Sequence, residues 1–176
     1  MQHLFLIGYR GSGKSTVGRG LSDALQRPLI DTDKEIEESA EREIKLIFEQ
    51  DGESGFRDLE EAAVKEASES DTATIVSLGG GAILREANRE QIRRHGKCVW
   101  LRGSAECLYA RISGDPISLT SRPDLSDRGG FAEVVEMLKT REPIYADLAD
   151  LAVDTDEKAP DELVSEIVDW LNTQAR

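Results

Sequence analysis

The sequence predicts an α/β fold, a three-layer doubly wound sandwich around a parallel sheet of about five strands. Three observations predict it. Short apolar runs with strand character alternate along the chain with stretches of helical periodicity, the pattern of repeated strand-helix-strand crossovers. The run Thr74 to Leu78 is β-branched and apolar, as expected of a strand covered on both faces. The 176 residues suffice for one domain with a full core and show no internal repeat or linker, so residues 1–176 are expected to form one unit.

The first strand is the apolar run Leu4 to Ile7. It leads straight into Gly-Tyr-Arg-Gly-Ser-Gly-Lys-Ser-Thr, residues 8–16, which satisfies G-x-x-x-x-G-K-[ST] through Gly8, Gly13, Lys14 and Ser15. Glycines let the backbone bend tightly around phosphate oxygens, and the helix that follows adds its positive end. The pattern predicts a P-loop NTPase fold with nucleotide phosphates over Gly11, Ser12, Gly13, Lys14, Ser15 and Thr16. Lys14 is expected to reach the β and γ phosphates, and the Ser15 hydroxyl to coordinate Mg2+ that accompanies ATP. What receives the phosphate is not stated by this motif.

Ser15 to Leu25 then has helical spacing at Val17, Leu21, Ala24 and Leu25, and Arg27-Pro28 stops it. A second strand, Leu29 to Asp31, ends in Asp31-Thr32-Asp33. In a parallel sheet this is the edge that also carries the phosphate loop, so both acids are expected near the ligand. Lys34 to Glu69 reads as charged helix interrupted at Gly52 and Gly55. The stretch Gly52 to Arg57 sets an aromatic and an arginine beside a turn; by composition alone Arg57 is a surface residue. Thr74 to Leu78 feeds Gly79-Gly80-Gly81, which suits either close backbone approach by a ligand or a flexible turn. Many P-loop proteins hold their metal with an acid on such a strand. This one offers Ser77, so the carboxylate is expected from Asp31.

Arg85 to Arg94 reads as helix, Lys97 to Leu101 as a fourth strand, and Ser104 to Ile112 as helix opened by a serine cap. Periodicity then stops. Residues of about 113–130 are rich in Gly, Pro, Ser and Asp, carry Arg122 and Arg128, and are expected to form a lid. A helix from about Phe131 meets Glu142-Pro143, where proline is expected to kink or end it, and continues toward Leu148. Leu151 to Val153 is a short fifth strand, and Pro160 to Leu171 an amphipathic terminal helix.

Composition narrows the function. Thirty-five acidic against 22 basic side chains give a formal charge of -13, which argues against nucleic acid or an anionic membrane as partner. Cys98 and Cys107 have no metal-ligand spacing and read as reduced core thiols. No basic leader, cleavage site or bilayer-long apolar run is present, so a cytoplasmic, soluble protein is expected. The guanine-reading Asn-Lys-x-Asp is absent, which argues against a GTP switch, and the chain is short for a motor or helicase. A small-molecule kinase fits best, because phosphoryl transfer needs a lid that excludes water.

Gly8 to Thr16, Asp31-Thr32-Asp33, Gly52 to Arg57, Gly79 to Gly81, Arg122-Pro123, and Arg141 with Pro143 and Tyr145 stand in an order and at separations that resemble the shikimate kinase family, over nearly the whole chain. The resemblance implies ATP-dependent phosphorylation of the 3-hydroxyl of shikimate, a step of aromatic amino-acid biosynthesis, by a monomer of the nucleoside monophosphate kinase type. It implies an acceptor region of about residues 33–61, with shikimate bound by Asp33, Arg57, Gly79, Gly80, Gly81 and Arg141. Lys14, Asp33 and Arg122 would be catalytic, Arg122 being preferred over Arg128 for its following proline. Ser15 and Asp31 would serve the metal, and Arg111 and Pro160 would sandwich the adenine. Shikimate has one carboxylate and several hydroxyls, which suits guanidinium forks at one end and a carboxylate acceptor at the other. Phe48 and Phe56 suit either the ring or the core. A gluconate kinase or another small-molecule kinase of the same fold, and a non-catalytic nucleotide-binding relative, are the alternatives.

Overall fold

The computed structural model describes residues 2–114 and 130–174. Five strands, β1 (His3–Ile7), β2 (Leu29–Asp31), β3 (Ile75–Ser77), β4 (Gly96–Arg102) and β5 (Leu151–Asp154), form one parallel sheet in the order β2-β3-β1-β4-β5. The central strand explains why both faces are covered. Every residue of β1 is buried, and successive side chains of a strand point to opposite faces. Phe5 and Ile7 join Val76, Trp100, Tyr145 and Leu148 in one core, while Leu4 and Leu6 join Ile75, Val99, Leu21 and Ile167 in another.

The helices supply these two layers: α1 (Lys14–Leu25) and α7 (Pro160–Gln174) on one face, and α3 (Ile44–Ser68), α4 (Glu86–His95) and α6 (Gly130–Leu148) on the other. Two further helices, α2 (Thr32–Ala40) and α5 (Ala105–Gly114), complete the described elements with a short 3-10 turn at Ala82–Leu84. Burying a large apolar side chain contributes about 1.5–3 kcal/mol. The cores on the two faces therefore fix the sheet whose C-terminal edge carries the polar residues.

Several boundaries differ from the sequence reading. Helix α2 begins at Thr32 rather than Lys34, because the Asp31 carboxylate caps it, its Oδ1 accepting from the Asp33 N–H at 3.2 Å. Of the two glycines expected to interrupt α3, only Gly52 leaves helical geometry, at φ 71° and ψ -177°, a region open essentially to glycine. Helix α6 does not end at Pro143. A proline inside a helix costs about 3 kcal/mol or more, but Val134 and Leu138 before it and Tyr145 and Leu148 after it are all buried. Tertiary packing on both sides of the proline holds one continuous helix. Phe48 and Phe56 stack at 4.5 Å within a small core with Ile36, Ile44 and Ile47, so Phe56, fully buried, is a packing residue.

Candidate active site

The loop after β1 turns through left-handed backbone at Gly11 (φ 78°) and Gly13 (φ 91°), conformations that cost other residues strain. Gly13 is also the N-cap of α1, and no side chain caps that helix and no acid lies in its first turn. The helix therefore presents N–H groups and a positive dipole end to whatever occupies the loop. Lys14 Nζ donates to the carbonyls of Gly8 at 2.8 Å and Tyr9 at 3.0 Å, which keeps its ammonium over the loop.

Strand β2 ends beside this loop. Ser15 Oγ donates to Asp31 Oδ2 at 3.2 Å, so a hydroxyl and a carboxylate stand together at the loop's edge. Hard oxygen donors in this number suit Mg2+, which binds through one or two protein groups and takes its remaining positions from water and phosphate. Among the described residues no three His, Cys, Asp or Glu side chains converge on a metal-sized site.

A cleft of about 680 Å³ opens over the loop. Of the residues singled out in the sequence, Gly11 through Thr16, Asp31, Asp33, Gly80, Arg111 and Pro160 all line it. Arg111 reaches it from α5, its guanidinium donating to Thr155 Oγ1 at 3.0 Å and to the Thr155 carbonyl at 2.5 Å. Pro160 enters from the first position of α7, where a missing N–H costs nothing.

Arg57, Gly79, Gly81 and Arg141 do not wall this cleft; they form an adjoining cluster joined to it through Gly80. Arg57, the expected surface residue, is 7% exposed. Its Nη1 donates to Glu60 Oε2 at 2.7 Å, its Nη2 to the exposed Glu53 at 3.3 Å, and its guanidinium lies 5.3 Å from the Phe56 ring centroid. A side chain on Gly81 would fall on that guanidinium. The glycine run thus permits close approach, by the protein's own arginine as well as by a ligand. Arg141, 6% exposed, donates to the Gly80 carbonyl at 3.4 Å, and the Tyr145 hydroxyl donates to the same oxygen at 2.6 Å. Burial raises the Tyr145 hydroxyl well above its ordinary pKa, so it remains a donor. Gly79 N–H donates to Thr32 Oγ1 at 3.2 Å, tying the run to the start of α2. Arg122 and Arg128 lie outside the described residues.

The structure adds residues that the sequence reading did not single out. Arg10, Thr155 and Lys158 line the cleft. Tyr9 lies beneath Arg141, and Glu60 neutralises Arg57. Tyr9 and Arg10 occupy unspecified positions of the loop pattern, so no signal marked them. Glu60 had one: it stands three residues after Arg57 on a helix, the spacing of a side-chain pair. Cys98 and Cys107 are free thiols, both raised in pKa by burial.

Comparison with known proteins gives the family. A family model described as shikimate kinase matches residues 10–172. A shikimate kinase of Rhodopirellula baltica is 45% identical over 167 residues, covering 95% of this chain and 89% of the relative. One of Pseudomonas fluorescens is 40% identical over 174 residues, covering 97% and 96%. Among solved structures, shikimate kinase from Acinetobacter baumannii in complex with shikimate superposes with a TM-score of 0.91 at 32% identity, covering 99% of this chain and 94% of that one. A gluconokinase from Sinorhizobium meliloti shares the fold alone, with a TM-score of 0.63 at 19% identity. The match to the family model over most of the chain, with relatives this similar along their length, means that the chain belongs to the shikimate kinase family.

Proposed function

We propose that this protein transfers the γ-phosphate of ATP to the 3-hydroxyl of shikimate. The observation that carries the reading is the pair of buried guanidiniums, Arg57 against Gly81 and Arg141 on the carbonyl of Gly80, the residue that lines the phosphate cleft. Burying a cation takes it out of water and is costly unless an anion meets it there. Arg57 is paired with the buried Glu60 and the exposed Glu53, whereas the contacts of Arg141 among the described residues include no ion pair, which leaves about one positive charge for one carboxylate. That balance suits shikimate better than a nucleoside monophosphate.

In this reading Gly11, Ser12, Gly13, Lys14, Ser15 and Thr16 bind the phosphates, and Arg111 and Pro160 hold the adenine. Asp33 accepts a hydrogen bond from the attacking hydroxyl and orients it toward the γ-phosphorus. As the new P–O bond forms, the bond to the ADP oxygen breaks. Lys14, with Arg122 by family resemblance, stabilises the charge on the transferring group. Ser15 and Asp31 would hold Mg2+, which when bound neutralises phosphate oxygens. Gly79, Gly80 and Gly81 admit the acceptor close to the main chain, between Asp33 and the arginines. The reading includes a monomer acting in the cytoplasm; among the described residues no helix is long and apolar enough to cross a membrane.

The test is ADP release with ATP and Mg2+ against shikimate, gluconate and nucleoside monophosphates, one acceptor at a time. Turnover dependent on shikimate is expected. Turnover on another acceptor with none on shikimate would refute the proposal.

A further inference from the structure

Arg57 and Arg141 are held in different ways. Arg57 is clamped by a buried carboxylate at 2.7 Å. The contacts of Arg141 include a long bond to the Gly80 carbonyl at 3.4 Å, the Met137 sulfur at 3.7 Å and the Tyr145 hydroxyl. None of these is an ion pair. The remaining contact is the face of Tyr9, whose ring centroid lies 5.6 Å from the guanidinium carbon, within range of a cation–π interaction. Tyr9 is 7% exposed, so this contact is largely desolvated, where such interactions are strongest.

Tyr9 sits at an unspecified position of the phosphate loop, and its main chain has a second engagement. Its carbonyl accepts from Lys14 Nζ at 3.0 Å. One residue thus touches the phosphate-side lysine through its backbone and the acceptor-side arginine through its ring. Its ring also belongs to a core with Leu108, Ile112, Val134 and Leu138, which fixes its orientation.

We infer that Tyr9 is a positioning residue for the acceptor: its ring face holds the Arg141 guanidinium in the orientation that receives the substrate carboxylate. This rests on the function proposed above. A guanidinium held by a long carbonyl bond, a sulfur contact and a hydroxyl, with no ion pair among the described residues, would sample several rotamers, and ordering it would be charged against substrate binding. The stacked ring removes that cost in advance. The effect should appear in shikimate affinity and leave the loop's grip on ATP alone, because the backbone contacts of the loop do not require the ring.

The experiment compares KM for shikimate, KM for ATP and kcat in the wild-type chain, Tyr9→Leu and Tyr9→Phe. Tyr9→Leu is expected to raise KM for shikimate about tenfold to thirtyfold, up to the scale of a desolvated cation–π contact, with KM for ATP within about twofold. Tyr9→Phe, which keeps the ring, should restore the wild-type value. Should Tyr9→Leu fail to fold, phenylalanine and its progressively fluorinated analogues at position 9 carry the same test. Fluorine drains the negative face at nearly constant shape, so KM for shikimate should climb with each fluorine. An unchanged KM for shikimate, or an equal rise for shikimate and ATP, would overturn the inference. A wild-type chain inactive on shikimate would instead remove the functional reading beneath it.

Discussion

Lys14 and Arg57 are cations at the same sheet edge, yet their surroundings assign them different losses. Lys14 donates to the carbonyls of Gly8 and Tyr9 at the floor of an open cleft, where water can satisfy them when the ammonium is gone. Lys14→Ala is therefore expected to lower kcat at least about a hundredfold, the effect of losing a transition-state charge stabiliser, while its melting temperature stays near the wild-type value. Steady-state kinetics and a thermal melt check both halves. Arg57 is paired with Glu60, whose side chain is 0% exposed. Arg57→Ala leaves that carboxylate buried without its main partner and should cost about 3–5 kcal/mol of stability in urea unfolding. Adding Glu60→Gln should recover much of the stability and none of the shikimate turnover. A double variant that regained turnover would show that Arg57 is structural only.

The turn between β3 and α4 shows the same separation for a whole element. Gly81 gives up its side-chain space to the Arg57 guanidinium. Overpacking of this kind costs about 1–3 kcal/mol, and here it falls on the arginine rather than on the hydrophobic core. Gly81→Ala is expected to raise KM for shikimate about tenfold or more and to leave KM for ATP nearly unchanged. Initial-rate measurements in both substrates decide it. The elements themselves were largely legible in the sequence, because each strand and helix is written in local periodicity and the phosphate loop is a contiguous motif. What local pattern does not carry is which residues meet across the fold. The strand order, with β1 central, depends on how the crossovers pack, and local pattern leaves open whether Pro143 kinks or ends its helix, because the buried residues on both sides of it are not visible together. Composition alone marks Arg57 as surface for the same reason: Gly81, which lies against its guanidinium, is brought there by the fold. Tyr9 and Arg10 were hidden inside positions that the motif leaves open.

Across the molecule, acidic side chains predominate in the sequence, while Lys14, Arg57, Arg111 and Arg141 gather in and beside the cleft over the phosphate loop. One titration elsewhere affects the whole fold. His3, at the opposite end of β1 from the loop, is 3% exposed, and its Nδ1 accepts from the Thr74 N–H at 3.3 Å. Burial lowers its pKa below the ordinary 6.5, against a main-chain bond to Ser68 that raises it. The unfolded chain therefore binds the proton more readily. The stability His3 contributes is complete above about pH 6.5 and is lost as the pH falls through the lower folded value. Urea unfolding from pH 7.5 to 5.5 should show a decline that is shallower in His3→Asn, which keeps an acceptor near Thr74 and cannot titrate. Equal slopes would rule out His3 as the source. The central claim is that the site beside the phosphate loop takes shikimate as its phosphate acceptor. Its most direct measurement is phosphorus NMR of the wild-type chain with ATP, Mg2+ and equimolar shikimate and gluconate. The account predicts a new phosphate ester on the 3-oxygen of shikimate and none on gluconate. An ester on gluconate alone, or inorganic phosphate as the only product besides ADP, would contradict it.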